Sequence, residues 1–471
     1  MARQQHGRYR KNRKPRPSFS SDPVTVTVTS IGQRGDGMAS ISHPDGTHPD
    51  GGDERYFIRN SMVGDVLSVR PVRRHQSGLD AEIMSVITPS PDRITPDCPS
   101  AAECGGCQFQ YMAKDRYQDW KFEMVRSSLS RADVIPDEWR PSFFAEYGGR
   151  RRTRLAWRRL KDGVICGFRE ARSHQIIAPD GCLVAHPELR QAMDTLKTHL
   201  LPHTDPSSQG EVEITLADAP QNQGQASAYL WDIAFRPQEA FKPKTITAMV
   251  TEASRHPIAR LSQIHPSGDV ELLYEKTPPV VTWSLDANGE NTITLTPAAG
   301  SFMQADASAE GHMQQQIANA LKGNKQIVDL FCGSGSLSLP LMTSSNPPEK
   351  IKGIDSAALG LEALMAAAKS NGHHHRVSVE NRNLFKDPLN AEELSAFDAA
   401  IIDPPRAGAA AQMPAIANSN ITRVMMVSCN PNSFARDAQI LIQEGFQCRW
   451  AQMIDQFYLT AHAELVACFE R

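Results

Sequence analysis

Residues 326–340, QIVDLFCGSGSLSLP, decide the fold of this chain. A short apolar run ends there in two glycines, which is typical of a buried strand that turns tightly into a helix. Further apolar runs and a helical stretch follow: KIKGID (350–355), LGLEALMAAAKSN (359–371), FDAAIIDPP (397–405) and RVMMVSCNP (423–431). Short strands that alternate with helices predict a parallel, doubly wound α/β sheet of the Rossmann-like kind.

The ends of these predicted strands carry polar residues. Ligands of such sheets bind beyond the carboxyl ends of the strands. Gly333 and Gly335 would let a ligand approach the backbone, and Asp355 at the end of the next strand can accept both hydroxyls of a ribose. The turn has Ser338 where a dinucleotide-binding fingerprint has its third glycine, which argues against a nicotinamide oxidoreductase.

Two motifs at later strand ends indicate methyl transfer to a planar base. In Asp403-Pro404-Pro405-Arg406 the rigid prolines fix the backbone and keep the carboxylate pointing into the cleft. Cys429 in VSCNPN follows another strand, so its thiol is expected at the same edge of the sheet. A soft thiolate adds readily to C6 of a uracil ring and turns C5 into a carbon nucleophile. The alternative is that Cys429 is a small buried hydrophobic residue.

A carboxylate near the end of the sequence completes this chemistry. Glu464 lies in TAHAELVACF, a mostly apolar strand in which a carboxylate is unfavourable to bury without a function or a partner. After methyl transfer, a base must remove the C5 proton so that the thiol can leave. We therefore predict that Cys429 and Glu464 are the catalytic pair.

The cysteine spacing predicts a metal centre. Cys98, Cys104 and Cys107 form the pattern C-x5-C-G-G-C, and Cys182 is a distant fourth ligand. Four thiolates suit zinc or a four-iron cluster, and the spacing does not choose between them. An arginine-rich block at residues 150–161 follows, so we expect the metal centre to be a structural pin for an RNA-binding region.

Composition predicts a soluble chain of several domains. The 471 residues are 40% hydrophobic and 22% charged, with a net charge of −3. There is no apolar run of membrane-spanning length, and the basic N-terminus lacks the apolar core of a secretory signal, so we expect a cytoplasmic protein that does not bind membranes. Nine cysteines without an export signal favour reduced thiols. Nothing in the sequence requires more than a monomer.

The pattern along the chain divides into four regions. Residues 1–21 are expected to form a basic disordered tail, which is either simply solvated or a dynamic arm that binds phosphates. Strand-like runs, namely VTVTVTSI (24–31), Tyr56–Ile58, Val66–Val72 and Ala81–Ile87, predict a small β-barrel over residues 22–88. Residues 89–295 form a predicted central α+β domain, in which a helical part near 110–135 packs on the catalytic domain. Residues 296–471 form the predicted catalytic domain.

Taken together, these motifs resemble the bacterial RNA 5-methyluridine methyltransferases, in particular the iron–sulfur branch that modifies 23S ribosomal RNA. The resemblance covers most of residues 24–471 and is weakest between about 190 and 290. It implies a TRAM domain of the OB-like barrel type over residues 22–88, a [4Fe–4S] cluster on the four cysteines, S-adenosylmethionine as methyl donor and RNA, most specifically 23S rRNA, as substrate.

The resemblance also implies roles for individual residues. Cys429 would be the nucleophile, Glu464 the base and Phe302 a neighbour of the flipped uracil, with Asp403 contacting both substrate and cofactor. The other implied cofactor contacts are Gln304, Phe331, Ser336, Asp355 and Asn383.

The chain departs from the family pattern at several positions. The family has asparagine at the positions of Ser336 and Asp306, and glutamate at that of Asp355. Near the base the family favours Pro-His, whereas this chain has Tyr458-Leu459. These departures bear on which uridine is modified.

Other functions remain open at this point. A tRNA 5-methyluridine methyltransferase would use the same residues. An N-methyltransferase with the same cofactor fold needs no cysteine nucleophile. An RNA-binding assembly factor could keep the cofactor fold without turnover.

Overall fold

The computed structural model describes residues 20–41, 53–170, 173, 175–179, 181–220, 228–286 and 288–471. Most of the predicted basic tail therefore lies outside the described residues. The described chain divides into two compact units. One runs to Thr95 and includes Tyr111–Ala113, and the other holds the remaining residues. None of the described helices is long and apolar enough to cross a membrane.

The first unit is a six-stranded sheet that closes on itself. Its strands are β1 (Val24–Thr27), β2 (Ser30–Ile31), β3 (Gly37–Ile41), β4 (Glu54–Ile58), β5 (Val66–His75) and β6 (Gly78–Thr88). They are ordered β1-β5-β6-β4-β3-β2, so β1 and β2 are the two edges. Only Val28 and Thr29 separate these edge strands along the chain, which forces the sheet to curl until its edges meet.

Most of the predicted strands of this unit are confirmed, with one difference. The stretches predicted at 56–58, 66–72 and 81–87 fall within β4, β5 and β6. The single strand predicted at 24–31 instead divides at Val28, whose N–H donates to the carbonyl of Asp65 at 2.9 Å. The break allows the chain to pass from one edge of the closed sheet to the other.

The second unit begins with a helix, two short strands and a seven-stranded sheet. These elements are α1 (Lys114–Ser130), β7 (Glu138–Trp139), β8 (Phe143–Phe144), β9 (Arg152–Leu160), β10 (Gly163–Arg169), β11 (Ile176–Ile177), α2 (Pro187–Thr195), β12 (Gln209–Asp218), β13 (Tyr229–Pro237), α3 (Pro243–Ala253), β14 (Ile258–Ile264) and β15 (Val270–Glu275). The sheet is ordered β11-β10-β9-β12-β13-β14-β15. A π-helical turn, Leu196–Leu200, and a 3-10 turn, Leu201–His203, follow α2. The core residues of this sheet, such as Trp157 and Trp231, pack with α2 and α3.

The rest of the second unit is a small hairpin and a large mixed sheet. The elements are β16 (Val281–Trp283), β17 (Ile293–Leu295), α4 (Ala307–Ala320), β18 (Gln326–Leu330), β19 (Lys350–Asp355), α5 (Ala358–Ser370), β20 (Val377–Asn381), α6 (Ala391–Leu394), β21 (Ala399–Ile402), α7 (Met413–Ala417), β22 (Arg423–Ser428), α8 (Pro431–Gln443), β23 (Gln447–Asp455) and β24 (Glu464–Glu470). The large sheet is ordered β20-β19-β18-β21-β22-β24-β23-β7, with β8 also pairing with β23. Strands β18 to β22 pair in parallel, which confirms the predicted doubly wound core.

Three features of this sheet position the site. Strand β24 is antiparallel to β22, so its first residue lies at the edge where β22 ends. Helix α1 contributes Val125 and Leu129 to the same core as α8. The helix predicted directly after the glycine turn is a 3-10 helix of five residues, Leu339–Thr343, and not an α-helix. Pro340 lacks an N–H, and the sequence SSNPP at 344–348 ends the turn before an α-helix can propagate.

Candidate active site

Four predicted site residues meet at one edge of the large sheet. Phe331, Asp403 and Cys429 directly follow β18, β21 and β22, and Asp355 is the last residue of β19. These strands are adjacent and parallel, so their carboxyl ends are neighbours. Glu464 joins them because it is the first residue of the antiparallel β24. The sheet therefore gathers an aromatic ring, three carboxylates and one thiol.

The glycine turn is tied to the end of β19. Phe331 has a φ of +63°, and its N–H donates to the carbonyl of Ile354 at 2.9 Å. The Asp355 carboxylate accepts one bond from the N–H of Gly333 at 2.9 Å and another from Ala357 at 2.8 Å. A side chain at position 333 would meet no other atom within 4 Å. The turn thus leaves open space beside a fixed carboxylate, as a ribose-binding site requires.

A second aromatic ring extends the cofactor side of the site. Phe385 is 47% exposed, and its ring centroid lies 5.3 Å from that of Phe331. The side-chain oxygen of Asn383 accepts the N–H of Phe385 at 3.1 Å, so Asn383 shapes this loop. Phe385 was not predicted from the sequence. It could have been recognised as an aromatic residue in NRNLF, just beyond the end of a parallel strand.

Asp329 is another residue that sequence analysis did not assign to the site. It lies within β18, is fully buried, and has one carboxylate oxygen without a hydrogen-bond partner among the described residues. Burial raises its pKa to about 7. Ser336 of the same turn is half-buried, and its carbonyl accepts a bond from the Gln314 amide at 2.8 Å. Polar side chains of β18 and α4, Asp329 and Gln314, therefore lie next to the turn.

Cys429 lies among carboxylates. Its thiol is half-buried, and its pKa is raised to about 11 by burial and then by Glu464 and Asp403, while Arg406 opposes the shift. The residue that follows, Asn430, caps α8 by accepting the N–H of Asn432 at 3.2 Å. The amide of Asn430 also donates to the carbonyl of Arg406 at 2.9 Å, which ties the Cys429 loop to the DPPR loop.

Glu464 and Asp403 are electrostatically coupled. Glu464 is 5% exposed, and its pKa is raised by burial and by the charge of Asp403. Burial also raises the pKa of Asp403. Two carboxylates that disfavour each other's charge retain a proton at neutral pH more readily than isolated ones. The pocket around Cys429 can therefore accept and release protons near neutrality.

The segment 302–306 forms the other wall of the pocket. Phe302 is 62% exposed, and the guanidinium of Arg152 lies 5.5 Å from its ring centroid. Gln304 is buried, and its side-chain oxygen accepts a bond from the Gln456 amide at 2.7 Å. Asp306 caps α4 by accepting the N–H groups of residues 308 and 309. The role of the Asp306 carboxylate at this position is therefore to cap the helix.

The four predicted metal ligands come together. All four thiols are half-buried, and Cys107 interacts electrostatically with Cys182, Cys104 and Cys98. Burial raises the pKa of Cys182, whereas the backbone N–H groups of Ala185 and Val184 donate to its sulfur and oppose the shift. Among the described residues, no three of these sulfurs lie within 4.8 Å of one another.

The loop that carries Cys98, Cys104 and Cys107, called the cysteine loop below, contacts the segment that precedes Glu464. The N–H groups of Gln108 and Phe109 both donate to the carbonyl of Leu459, at 2.9 and 3.1 Å. The side-chain oxygen of Gln108 accepts the N–H of Ala461 at 3.2 Å. Residues 456–462 therefore rest on the loop that carries Cys107, only a few residues before Glu464.

The arginine block at 150–161 is divided by the alternation of β9. Arg151 is buried and pairs with Glu310 at 2.7 Å. Arg152 and Arg154 lie on the opposite face, and both pair with Glu213. The block is therefore partly neutralised within the protein.

The open glycine turn, the strand-end carboxylates and the half-buried thiol are typical of a methyltransferase of the parallel α/β class. Among solved structures, the chain resembles the tRNA (uracil-54, C5)-methyltransferase of Pyrococcus abyssi in complex with S-adenosyl-L-homocysteine. The TM-score is 0.68 at 19% identity, over 95% of this chain and 100% of the other. This likeness shows the fold.

Sequence comparison identifies the family. Residues 279–471 match the family described as tRNA (Uracil-5-)-methyltransferase. An uncharacterized RNA methyltransferase of Caulobacter vibrioides is 31% identical over 95% of this chain and 99% of its own. The 23S rRNA (uracil(1939)-C(5))-methyltransferase of Pseudomonas entomophila is 30% identical over 88% of each chain. The chain belongs to the RNA uracil-C5 methyltransferase family and is an S-adenosylmethionine-dependent enzyme.

Proposed function

We propose that this enzyme methylates C5 of a uridine in 23S rRNA, with Cys429 as nucleophile and Glu464 as base. The observation that carries the proposal is the position of one thiol beside a buried carboxylate, Glu464, and a half-buried one, Asp403, next to an open glycine turn. A uracil in this pocket would meet the thiol and a proton acceptor together, which C5 methylation requires.

The residues around the turn fit the methyl donor. Asp355 would accept the ribose hydroxyls, and Phe331 and Phe385 would flank the adenine. Gln304, Ser336, Asn383 and Asp403 complete the proposed contacts. S-adenosylmethionine supplies an electrophilic methyl group when bound.

The Cys429 thiol loses its proton to solvent, and the sulfur forms a bond to C6 while the electrons of the C5–C6 double bond move to C5 and O4. C5 would then take the methyl group as the methyl–sulfur bond of the donor breaks and a neutral thioether leaves. Glu464 removes the C5 proton, the double bond re-forms, and the bond between C6 and sulfur breaks. The thiolate is restored, and Phe302 would hold the flipped base at the pocket mouth.

The names of two relatives favour ribosomal RNA. The relatives from Pseudomonas entomophila and Nitrosococcus oceani, at 30% and 27% identity, are both named for 23S rRNA. The second of them aligns over 97% of this chain and 98% of its own. A tRNA substrate is the alternative, because the matching family description names tRNA.

We further propose that Cys98, Cys104, Cys107 and Cys182 hold a [4Fe–4S] cluster within a central domain spanning 89–295. Four thiolates suit a zinc ion or a four-iron cluster, and the resemblance to the iron–sulfur branch of the family supports the cluster. The barrel over residues 22–88 would be a TRAM domain, and residues 296–471 the catalytic domain.

The test uses labelled S-adenosylmethionine with 23S rRNA and tRNA transcripts, followed by nucleoside mass spectrometry. We expect 5-methyluridine in 23S rRNA. If only tRNA is methylated, the substrate is tRNA and not 23S rRNA. If neither RNA contains 5-methyluridine, the proposed reaction is excluded, which is the result that an assembly factor predicts.

A second measurement isolates the covalent step. RNA with 5-fluorouridine has no C5 proton to remove, so the adduct should survive denaturation. The adduct should disappear in Cys429→Ala and persist in Cys448→Ala, which removes a buried thiol elsewhere in the large sheet. An adduct in both variants would reject Cys429, and an N-methyltransferase would form none.

A further inference from the structure

We propose that Gln456 is a positioning residue that fixes the catalytic base and a wall of the cofactor pocket in one orientation. It presents one oxygen of Glu464 to the uracil and the amide nitrogen of Gln304 to the pocket. The inference rests on the proposed function, because it assumes that Glu464 removes the C5 proton.

The Gln456 amide is fully bonded. Its nitrogen donates to Gln304 Oε1 at 2.7 Å and to Glu464 Oε1 at 3.0 Å. Its oxygen accepts the N–H of Ala305 at 3.0 Å. Reversing the amide would set its oxygen against two oxygen acceptors, so only one orientation satisfies all three partners. The side chain is 2% exposed, and water does not compete for these bonds.

These bonds determine which atoms face the pocket. Glu464 Oε2 has no hydrogen-bond partner among the described residues. It is also not one of the described polar atoms that are fully buried without a partner, so it keeps some exposure. The same holds for Gln304 Nε2. Gln456 thus occupies one atom of each side chain and leaves the other free. The free carboxylate oxygen is the one available to take a proton.

The backbone on both sides of Gln456 is also fixed. Asp455, the preceding residue, accepts bonds from Lys121 Nζ at 2.6 Å and from the Tyr117 hydroxyl at 2.5 Å, and all three side chains are fully buried. Lys121 also donates to the carbonyl of Phe457 at 3.3 Å. A buried ion pair with a shared hydroxyl holds one geometry, because any displacement leaves a charge without a partner.

The turn after Gln456 adopts a conformation that needs support. Leu459 has a φ of +61°, which is unfavourable for a residue with a branched side chain. Its N–H donates to the Tyr117 hydroxyl at 2.9 Å, and its carbonyl accepts from Gln108 and Phe109. Gln456 is therefore held between two anchored residues.

The charge of Glu464 depends on these neighbours. Burial and Asp403 raise its pKa, whereas the Gln456 hydrogen bond and Lys121 lower it. Loss of the Gln456 bond would raise the pKa further. Proton removal requires the ionised carboxylate, so that step would need a higher pH in a variant without the amide.

The test compares Gln456→Met with Gln452→Met in the full-length enzyme. Gln452 is a buried glutamine four residues earlier that bonds to the carbonyl of Pro141 and to His312. The substrate is the RNA that the wild-type enzyme methylates, carrying tritium at uridine C5. Single-turnover measurements follow methyl transfer, tritium release and the denaturation-stable adduct.

At saturating S-adenosylmethionine, which offsets the loss of the Gln304 contact, we expect Gln456→Met to transfer the methyl group at about the wild-type rate and to release tritium about 10-fold more slowly, so that the methylated adduct accumulates. The pH midpoint of tritium release should rise. Gln452→Met should release tritium like the wild type. Unchanged release in Gln456→Met, or equal slowing of both steps, would overturn the inference.

Two controls keep the outcomes separate. If Gln456→Met fails to fold, Gln456→Asn retains the amide one methylene short of its partners and should show the same accumulation. A wild-type enzyme that forms no 5-methyluridine would instead reject the proposed function.

Discussion

The thiol of Cys429 and the thiols of the cysteine loop are chemically alike and differ in what surrounds them. Both kinds are half-buried, and burial raises the pKa of Cys429 to about 11 and that of Cys107 to about 12. Cys429 is surrounded by carboxylates. Cys107 is surrounded by three further thiols and the Arg150 cation.

This difference teaches that burial alone does not define a reactive cysteine. A single thiol beside carboxylates stays protonated until substrate binds, and it then acts as the nucleophile. Thiols that are gathered in this way become stable thiolates when a metal centre compensates their charge. The same substitution in the two regions should therefore have different consequences.

The largest expected effect is that of Cys429→Ser. A serine hydroxyl is a far weaker nucleophile towards C6, so turnover should fall by at least about 10³-fold. Cys429 is not one of the four proposed metal ligands, so the iron content of the protein should stay at the wild-type level. Steady-state kinetics and iron analysis test both statements. A loss of iron in this variant would break the distinction between the two regions.

The matching change in the loop, Cys107→Ser, should have a smaller effect on turnover. Loss of one ligand should remove the cluster, and the loop would then support Leu459 less firmly. We expect turnover to fall by about 10- to 100-fold through a displaced base. Iron analysis and hydrogen exchange of residues 456–462 measure the two effects.

Cys166→Ser is the control for this loop variant, because Cys166 is a buried cysteine outside the loop. Its iron content and the exchange of residues 456–462 should match the wild type. Full turnover in an iron-free Cys107→Ser enzyme would show that the loop and the base are independent.

The pH dependence of adduct formation sharpens the comparison further. The pKa of Cys429 is raised to about 11, so the thiolate fraction is small at neutral pH and grows as pH rises. With 5-fluorouridine RNA the rate of adduct formation should increase about tenfold per pH unit between pH 6 and 9, because it follows the thiolate fraction. Quenched-flow gels measure this rate. A rate that is flat above pH 7 would mean that the thiol ionises readily when RNA is bound.

The sequence predicted the strand-end residues because each follows an apolar run. Phe331, Asp403 and Cys429 share an edge once the strands are parallel neighbours, and the period of the pattern predicts that arrangement. The cysteine group was predictable from spacing. The same local signals could not predict that β24 is antiparallel, which is what brings Glu464 to this edge.

The unpredicted parts depend on contacts that are distant in sequence. Lys121 and Asp455 are separated by more than 300 residues, and nothing near Lys121 marks it as buried. Gln456 resembles any polar residue in a loop until its three partners are known. The arginine block was predicted to belong to an RNA-binding region, yet strand alternation directs Arg151 inward to Glu310.

The smallest expected effect lies at the pocket mouth, where Phe302→Ala should weaken RNA binding without altering the thiol. One stacked base is worth about 1–3 kcal/mol, so the KM for RNA should rise by about fivefold or more, while kcat and thermal stability stay near wild type. The ring is 62% exposed, which explains the unchanged stability. Phe385→Ala, also at an exposed ring, is the control and should raise the KM for S-adenosylmethionine alone. If Phe302→Ala instead slowed adduct formation at saturating RNA, the ring would be part of the environment that activates Cys429, and that environment would reach as far as the pocket mouth.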